Sequence, residues 1–200
     1  MSRLYTALLY LLLPLVLLRL MWRSLQAPAY RQRLGERFGF FEGAPAPGGI
    51  WIHAVSVGEV QAIEPLVRHL RKHHPELAIT LTTSTPTGSE RVRLLFGRDL
   101  FHVYFPYDLP WSLKRFLRRV QPVLLVMVET EIWPNLLQLC HEQGIQTLLA
   151  NGRLSERSAQ GYARLGGFSR RIFGLIRSLA AQSPQDAERF VHLGVPRERV

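Results

Sequence analysis

His53-Ala54-Val55-Ser56-Val57-Gly58-Glu59 is the stretch that decides the fold, because an apolar run from Gly49 to Ala54 turns there into the start of an amphipathic helix. A strand feeding directly into a helix is the unit of an α/β sheet. In open sheets of that kind ligands bind outside the carboxyl ends of the strands, and Glu59 stands at such an end. Glu59 is therefore a candidate general base. Ser56-x-x-Glu59 also spells a capping box, in which the serine receives a backbone amide and the glutamate folds back on the cap. A second acidic group follows another strand end: Val123 to Val128 reads as buried, and Glu129-Thr130-Glu131 comes directly after it, before Ile132-Trp133-Pro134-Asn135.

Working outward, short β-like runs alternate with helical periodicity. Strands are expected at 50–54, 78–83, 101–105, 123–128, 146–150 and 179–181. Helices are expected at 60–71, from Thr85-Pro86-Thr87 to Phe96, from Asp108 to about Val120, at 134–143, as one long element from Ala159 to Leu175, and from Ser183 onward. Such alternation predicts a parallel, doubly wound sheet with right-handed crossovers. The expected organisation is an anchor at 1–25, a basic segment and Pro/Gly-rich linker at 26–48, and a Rossmann-like domain at 49–200. The pattern stops where a further strand is expected, so the reading also expects a longer natural chain.

The composition suits a domain with a full core: 200 residues, 47% hydrophobic and 20% charged. The formal charge of +10 favours an anionic partner, whether nucleic acid, membrane surface or phosphorylated substrate. No helix-turn-helix signal or RNA-binding aromatic motif is present, so no nucleic-acid partner is expected. The single Cys140 excludes an internal disulfide and reads as a small buried hydrophobe, and no Cys/His spacing resembles a zinc site; neither metal nor cofactor is expected.

At the start of the chain, Leu4 to Leu18 is an almost unbroken apolar run between Arg3 and Arg19. No small-residue cleavage site follows it, so it reads as an uncleaved membrane anchor. The run is shorter than the roughly 20 residues that span a bilayer, which leaves open whether it spans, by borrowing Leu20 to Trp22, or lies in the interface. Arg19, Arg23, Arg31, Arg33 and Arg37 outnumber Arg3, which places the remainder on the cytoplasmic side and makes these five candidate membrane-surface residues.

Neither a Walker loop nor G-x-G-x-x-G occurs, which excludes the familiar ATPase and dehydrogenase patterns. Thr85-Pro86-Thr87-Gly88-Ser89-Glu90 could cradle a phosphate at a helix start or be a capping box on Thr87 and Glu90. Asn151-Gly152-Arg153-Leu154-Ser155-Glu156 places polar and cationic groups at the same sheet edge, or is a solvated loop. Ser56, Gly58, Thr87 and Arg153 are candidate ligand-binding residues along that edge. Lys114, Arg115, Arg118 and Arg119 read as the wet face of a helix, and His53 as a hydrogen-bonded core residue more than a catalyst.

Taken together, several uncommon strings in one order resemble the N-terminal half of the bacterial lipid A 3-deoxy-D-manno-octulosonic acid (Kdo) transferases. They are Leu4-Tyr5-Thr6-Ala7-Leu8-Leu9-Tyr10, Ala27-Pro28-Ala29-Tyr30-Arg31 with Gly35-Glu36-Arg37, the His53 to Glu59 stretch, and Thr85 to Glu90. Further on come Tyr107-Asp108-Leu109-Pro110, Glu129 to Asn135 and Arg153-Leu154-Ser155-Glu156-Arg157-Ser158. The resemblance implies a GT-B glycosyltransferase whose first Rossmann-like domain handles the acceptor and whose second holds the donor. It implies inverting transfer of Kdo from CMP-Kdo to the lipid A precursor at the cytoplasmic face of the inner membrane. Glu59 would be the proton acceptor and Glu129 a transition-state stabiliser, with a further lysine and the CMP-binding residues beyond Val200. The competing reading is a non-catalytic membrane-docking fragment that binds anionic lipid.

Overall fold

The computed structural model describes residues 2–200. Six strands form one sheet in the order β3-β2-β1-β4-β5-β6, and every neighbouring pair is parallel. They are β1 (Ile50–His53), β2 (Ile79–Thr83), β3 (Phe101–Tyr104), β4 (Leu124–Val128), β5 (Gln146–Gly152) and β6 (Ser178–Ala181). The helices are α1 (Ser2–Gln26), α2 (Val57–His73), α3 (Pro86–Phe96), α4 (Pro110–Val120), α5 (Pro134–Glu142), α6 (Glu156–Ala163), α7 (Gly167–Phe173) and α8 (Pro184–Leu193). The expected Rossmann-like α/β fold preceded by an apolar helix is thus the observed one.

Strand alternation sorts the core into two layers. Ile50 and Ile52 of β1 join Ile79, Leu81, Val126 and Val128 beneath Val60, Ile63 and Val67 of α2 and Val92 and Phe96 of α3. Trp51 points the other way, onto Leu113, Phe116 and Leu117 of α4, in a larger layer completed by α5, α7 and α8. Trp51 and Phe116 have ring centroids 4.4 Å apart. Because β1 pairs with β2 on one side and β4 on the other, the winding direction reverses between β1 and β4. In open α/β sheets ligands bind outside the strands' carboxyl ends at such a switch point, and Glu59 and Glu129 follow β1 and β4 there.

Three expectations need correction. The helix read as one element from Ala159 to Leu175 is two, since Gly166 takes φ +54° and turns the chain between α6 and α7. The basic segment ahead of the Gly43 to Gly49 linker is not a solvent-facing strip. Two 3-10 turns, Pro28–Arg31 and Leu34–Phe38, lead into Phe38, which stacks on Trp111 at 5.7 Å, and Phe41, which packs on Phe116 at 5.6 Å. Finally, Arg115 and Arg119 are not merely the wet face of α4. Arg115 lies 3.7 Å over the Phe40 ring and donates to the Phe38 carbonyl; Arg119 lies over Phe41 and donates to the Gly43 carbonyl. Aromatic residues at 38, 40 and 41 and arginines one helical turn apart make this clamp, which neither sequence spacing shows alone.

Candidate active site

Ser56 begins α2 as its N-cap, in extended conformation, so that Glu59 falls in the first turn. The capping box that the spacing spells is formed. Glu59 donates its amide to Ser56 Oγ at 3.4 Å, the Ser56 hydroxyl donates to Glu59 Oε1 at 2.8 Å, and the Val55 amide donates to Oε2 at 2.8 Å. Cap and base are compatible roles, because each carboxylate oxygen keeps a second lone pair and the two donors fix its direction. Glu59 is 7% exposed. Burial pushes its carboxyl above the ordinary range and the negative charge of Glu129 adds to that, against the bonds from Val55 and Ser56.

The loop carrying Glu59 is itself gripped. The Val55 carbonyl accepts from the Ser84 amide at 3.2 Å and from the Thr85 hydroxyl at 3.2 Å. Gly88 allows this approach: a Cβ there would sit 2.9 Å from Thr85 Oγ1 and 3.2 Å from the Val55 carbonyl oxygen. The cap of α3 is Thr85, which receives the Gly88 amide at 3.1 Å, with Pro86 in the first turn; the expected box on Thr87 and Glu90 is not the one used.

Across the switch point, Glu129 ends β4 with φ +58° while its amide donates to the Ala150 carbonyl at 2.9 Å. A left-handed conformation costs a glutamate about 1–2 kcal/mol, and it turns the exposed side chain away from the strand direction. Glu131 follows, tied to Trp133 by an indole N–H bond of 2.9 Å. Trp133 packs on Phe105 at 5.4 Å, and Phe105 stacks on His53 at 3.9 Å. Burial first, then the charges of Glu59 and Glu129, push Glu131 up to about 7, with the Trp133 bond opposing. The three carboxylates therefore share one electrostatic environment.

Of the remaining candidates, Ser56 is half-buried in the cap, Gly58 is exposed beside it, and exposed Thr87 rides on the α3 loop that grips Val55. Arg153 is exposed; its carbonyl accepts from the Thr130 hydroxyl, which brings the loop after β5 against the Glu129–Glu131 turn. The site residues thus lie along one rim. The five arginines do not behave as a set. Arg19, Arg23 and Arg31 are exposed, but Arg33 binds Glu36 at 2.6 Å, Ser89 at 2.8 Å and the His102 carbonyl at 3.1 Å. Arg37 is 5% exposed, lies over Tyr104 and donates to the Ser84 carbonyl, so it faces protein and not lipid. Glu36, held by Arg33, accepts the Tyr104 amide and so helps close the open edge at β3.

His53 is buried, with Nδ1 3.0 Å from Thr82 Oγ1, and desolvation pulls it down to about 3; it is the neutral core residue expected. Asp108 was quoted in the sequence without a role. Its carboxylate receives the amides of Asn135 and Leu136 at the start of α5, at 3.1 and 2.8 Å, and the Tyr5 hydroxyl at 2.9 Å. It is a cap supplied from a different loop, so no local spacing reveals it.

Comparison with known proteins agrees with this architecture. The 3-Deoxy-D-manno-octulosonic-acid transferase (kdotransferase) family profile matches residues 32–200. A 3-deoxy-D-manno-octulosonic acid transferase of Haemophilus influenzae is 47% identical over 198 residues, covering 98% of this chain and 46% of the relative. One of Bordetella pertussis is 35% identical, covering 95% of this chain and 46% of its own length. The chain thus spans about half the length of these curated relatives. Among solved structures, the UDP-GlcNAc 2-epimerase of Neisseria meningitidis superposes with a TM-score of 0.54 at 11% identity, over 76% of this chain and 45% of that one, a likeness of fold alone. By the extent of the profile match and the relatives aligned along nearly all of its length, the chain belongs to the 3-deoxy-D-manno-octulosonic acid transferase family.

Proposed function

We propose that this chain is the acceptor-handling domain of an inverting glycosyltransferase that moves Kdo from CMP-Kdo to a lipid A precursor. The observation that carries the proposal is the cluster of Glu59, Glu129 and Glu131 at the switch point, with the Glu59 carboxylate buried, oriented by two donors and raised in basicity. A sugar hydroxyl is a poor nucleophile, and a positioned carboxylate takes its proton as the bond to the anomeric carbon forms. Glu59 is that base. Glu129, exposed on the opposite lip, offsets positive charge developing on the transferred sugar.

In this reading the donor is held by a second domain facing the crevice, and CMP leaves on the side away from Glu59, which gives inversion. Ser56, Gly58, Thr87 and Arg153 line the acceptor side, Arg153 pairing with a phosphate of the lipid A precursor. Family membership and the apolar α1 are consistent with membrane association, and the proposed place is the cytoplasmic face of the inner membrane. The test is transfer of labelled Kdo, from CMP-Kdo generated in the assay, by the protein at its natural length and by its Glu59→Ala variant. Collapse of transfer with the fold and lipid binding intact supports the assignment. Equal activity leaves Glu59 as a cap only, and no transfer by either protein favours a docking role for the domain.

A further inference from the structure

Length and composition leave the placement of α1 undecided. Its most apolar 18-residue window has a mean hydropathy of 2.0, and at about 1.5 Å per residue the helix is long enough to cross the roughly 30 Å hydrocarbon core. What separates the two arrangements is the pattern of shielding around the helix. Tyr5, Leu9, Leu13, Leu17 and Leu20 are half-buried and Ser24 is buried, at steps of four, four, four, three and four. These positions fall within roughly a third of the helical circumference. The opposite side is bare: Leu4, Leu11, Leu15, Leu18 and Met21 are all at least 60% exposed, and Leu25 is 78% exposed.

The first turn of the helix is also tied to the domain, and the last turn to the segment that follows it. At the first turn the Tyr5 hydroxyl donates to Asp108 at 2.9 Å, Thr6 Oγ1 donates to Asn135 Oδ1 at 2.9 Å, and the Tyr5 ring lies 6.1 Å from Phe168 of α7. At the last turn Arg23 sits 4.6 Å over the Tyr30 ring in the 3-10 turn that docks toward α3. A helix that crosses a bilayer meets lipid on all sides and carries its two ends to opposite faces. Here one flank is half-buried from Tyr5 to Leu20 and ends at buried Ser24, and the first turn is bonded to the domain.

We propose that α1 lies in the plane of an anionic bilayer surface, with its shielded flank on the domain and its bare leucine face in the lipid. The helix and its flanks carry Arg3, Arg19, Arg23 and Arg31, all exposed, and no acidic residue, which complements anionic headgroups. Asn135 lies at the start of α5, directly after the Glu129–Trp133 turn, and Asp108 caps that start from the loop before α4, so the latch that seats α1 also sets the carboxylate rim beside the membrane plane. The inference does not depend on the glycosyl-transfer reading.

The test adds the natural-length protein, carrying Arg3→Cys, to sealed vesicles of phosphatidylcholine and phosphatidylglycerol, then a membrane-impermeant maleimide from the same side. Any cysteine outside residues 1–200 is first replaced by serine, which leaves Cys140, fully buried, as the silent background. Labelling at position 3 equal to that in opened vesicles, within about twofold, is the expected result. Protection that is lost only when the vesicles are opened would show a spanning helix and overturn the proposal. In parallel, Leu11→Ser with Leu15→Ser, both outward and therefore compatible with an unchanged fold, should weaken vesicle binding at least tenfold. Unchanged binding, or the same leucines holding two copies of the protein together in solution, would also overturn it.

Discussion

The indole N–H of Trp133 donates to Glu131 at 2.9 Å, while the same ring packs on Phe105 and through it reaches His53. A half-buried carboxylate that desolvation pushes up to about 7 is thus opposed by one neutral donor. Trp133→Phe keeps the packing and removes the donor. A hydrogen bond to a charged group contributes about 1.5–3 kcal/mol, so the Glu131 titration, followed by carboxyl-carbon NMR, should move above 7. A midpoint that stays in place would show that solvent replaces the indole.

Glu129 raises Glu59, and removing that charge has a defined sign. Glu129→Gln should lower the Glu59 pKa and extend the acidic limb of the pH–rate profile to lower pH, even as the maximal rate falls. In Glu59→Gln, the Glu131 titration should move down from about 7, because the Glu59 charge is the second cause of its elevation. An acidic limb unmoved by Glu129→Gln would mean that the two carboxylates do not communicate.

Most of the architecture was legible because it follows from local periodicity. The alternation of strand and helix along 49–200 gave the parallel sheet, and Ser56-x-x-Glu59 announced both the cap and the strand-end carboxylate. The rest was written in contacts between distant residues. Asp108 caps a helix that begins 26 positions later, between Pro134 and Leu136, and no spacing rule links them. Glu131 stood beside Glu129 in the sequence but was given no role, because its environment depends on Trp133 and Glu59 meeting across the switch point. The inward turn of Arg33 and Arg37 was hidden for the same reason: a basic, aromatic segment reads as surface until Tyr104 and Ser89 arrive beneath it.

Gly88 is where the loop that carries Glu59 touches the start of α3. Gly88→Ala would press a Cβ to 2.9 Å from Thr85 Oγ1 and 3.2 Å from the Val55 carbonyl, whose own amide orients Glu59. The expected cost is about 1–3 kcal/mol of stability, with a loss of transfer activity larger than the fall in the folded fraction explains. Thermal unfolding and turnover measured on the same preparation check it; an unchanged rate would show that the Glu59 loop moves freely of α3.

The clamp on residues 38–43 should be separable from the site. Arg115→Ala removes the contacts with Phe40 and Trp111 and the bond to the Phe38 carbonyl. A loss of about 1 kcal/mol and faster proteolytic cleavage near Phe40 to Pro47 are expected, with Glu59 titrating as before. Cleavage at the parental rate would mean that the phenylalanines hold the segment unaided.

Asp108 gives the fold a pH dependence of known sign. Burial raises its carboxyl to about 7 from an unfolded value near 4, although three donors oppose the shift. Between those two pH values the folded chain keeps the Asp108 proton that the unfolded chain has released, so the Asp108 contribution to stability falls as pH rises from about 4 to about 7, against the opposite slope of His53 and His102, which burial pulls down to about 3 and about 4. Glu131, also raised to about 7, adds to the same slope. Asp108→Asn keeps one acceptor oxygen for the α5 amides, removes the ionisation and should make the change of stability with pH less negative than the parent's, and Asp108→Asn combined with Glu131→Gln should move it further the same way. Urea unfolding at pH 5, 6, 7 and 8 reads this directly, and a single-variant slope equal to the parent's would remove Asp108 as its source.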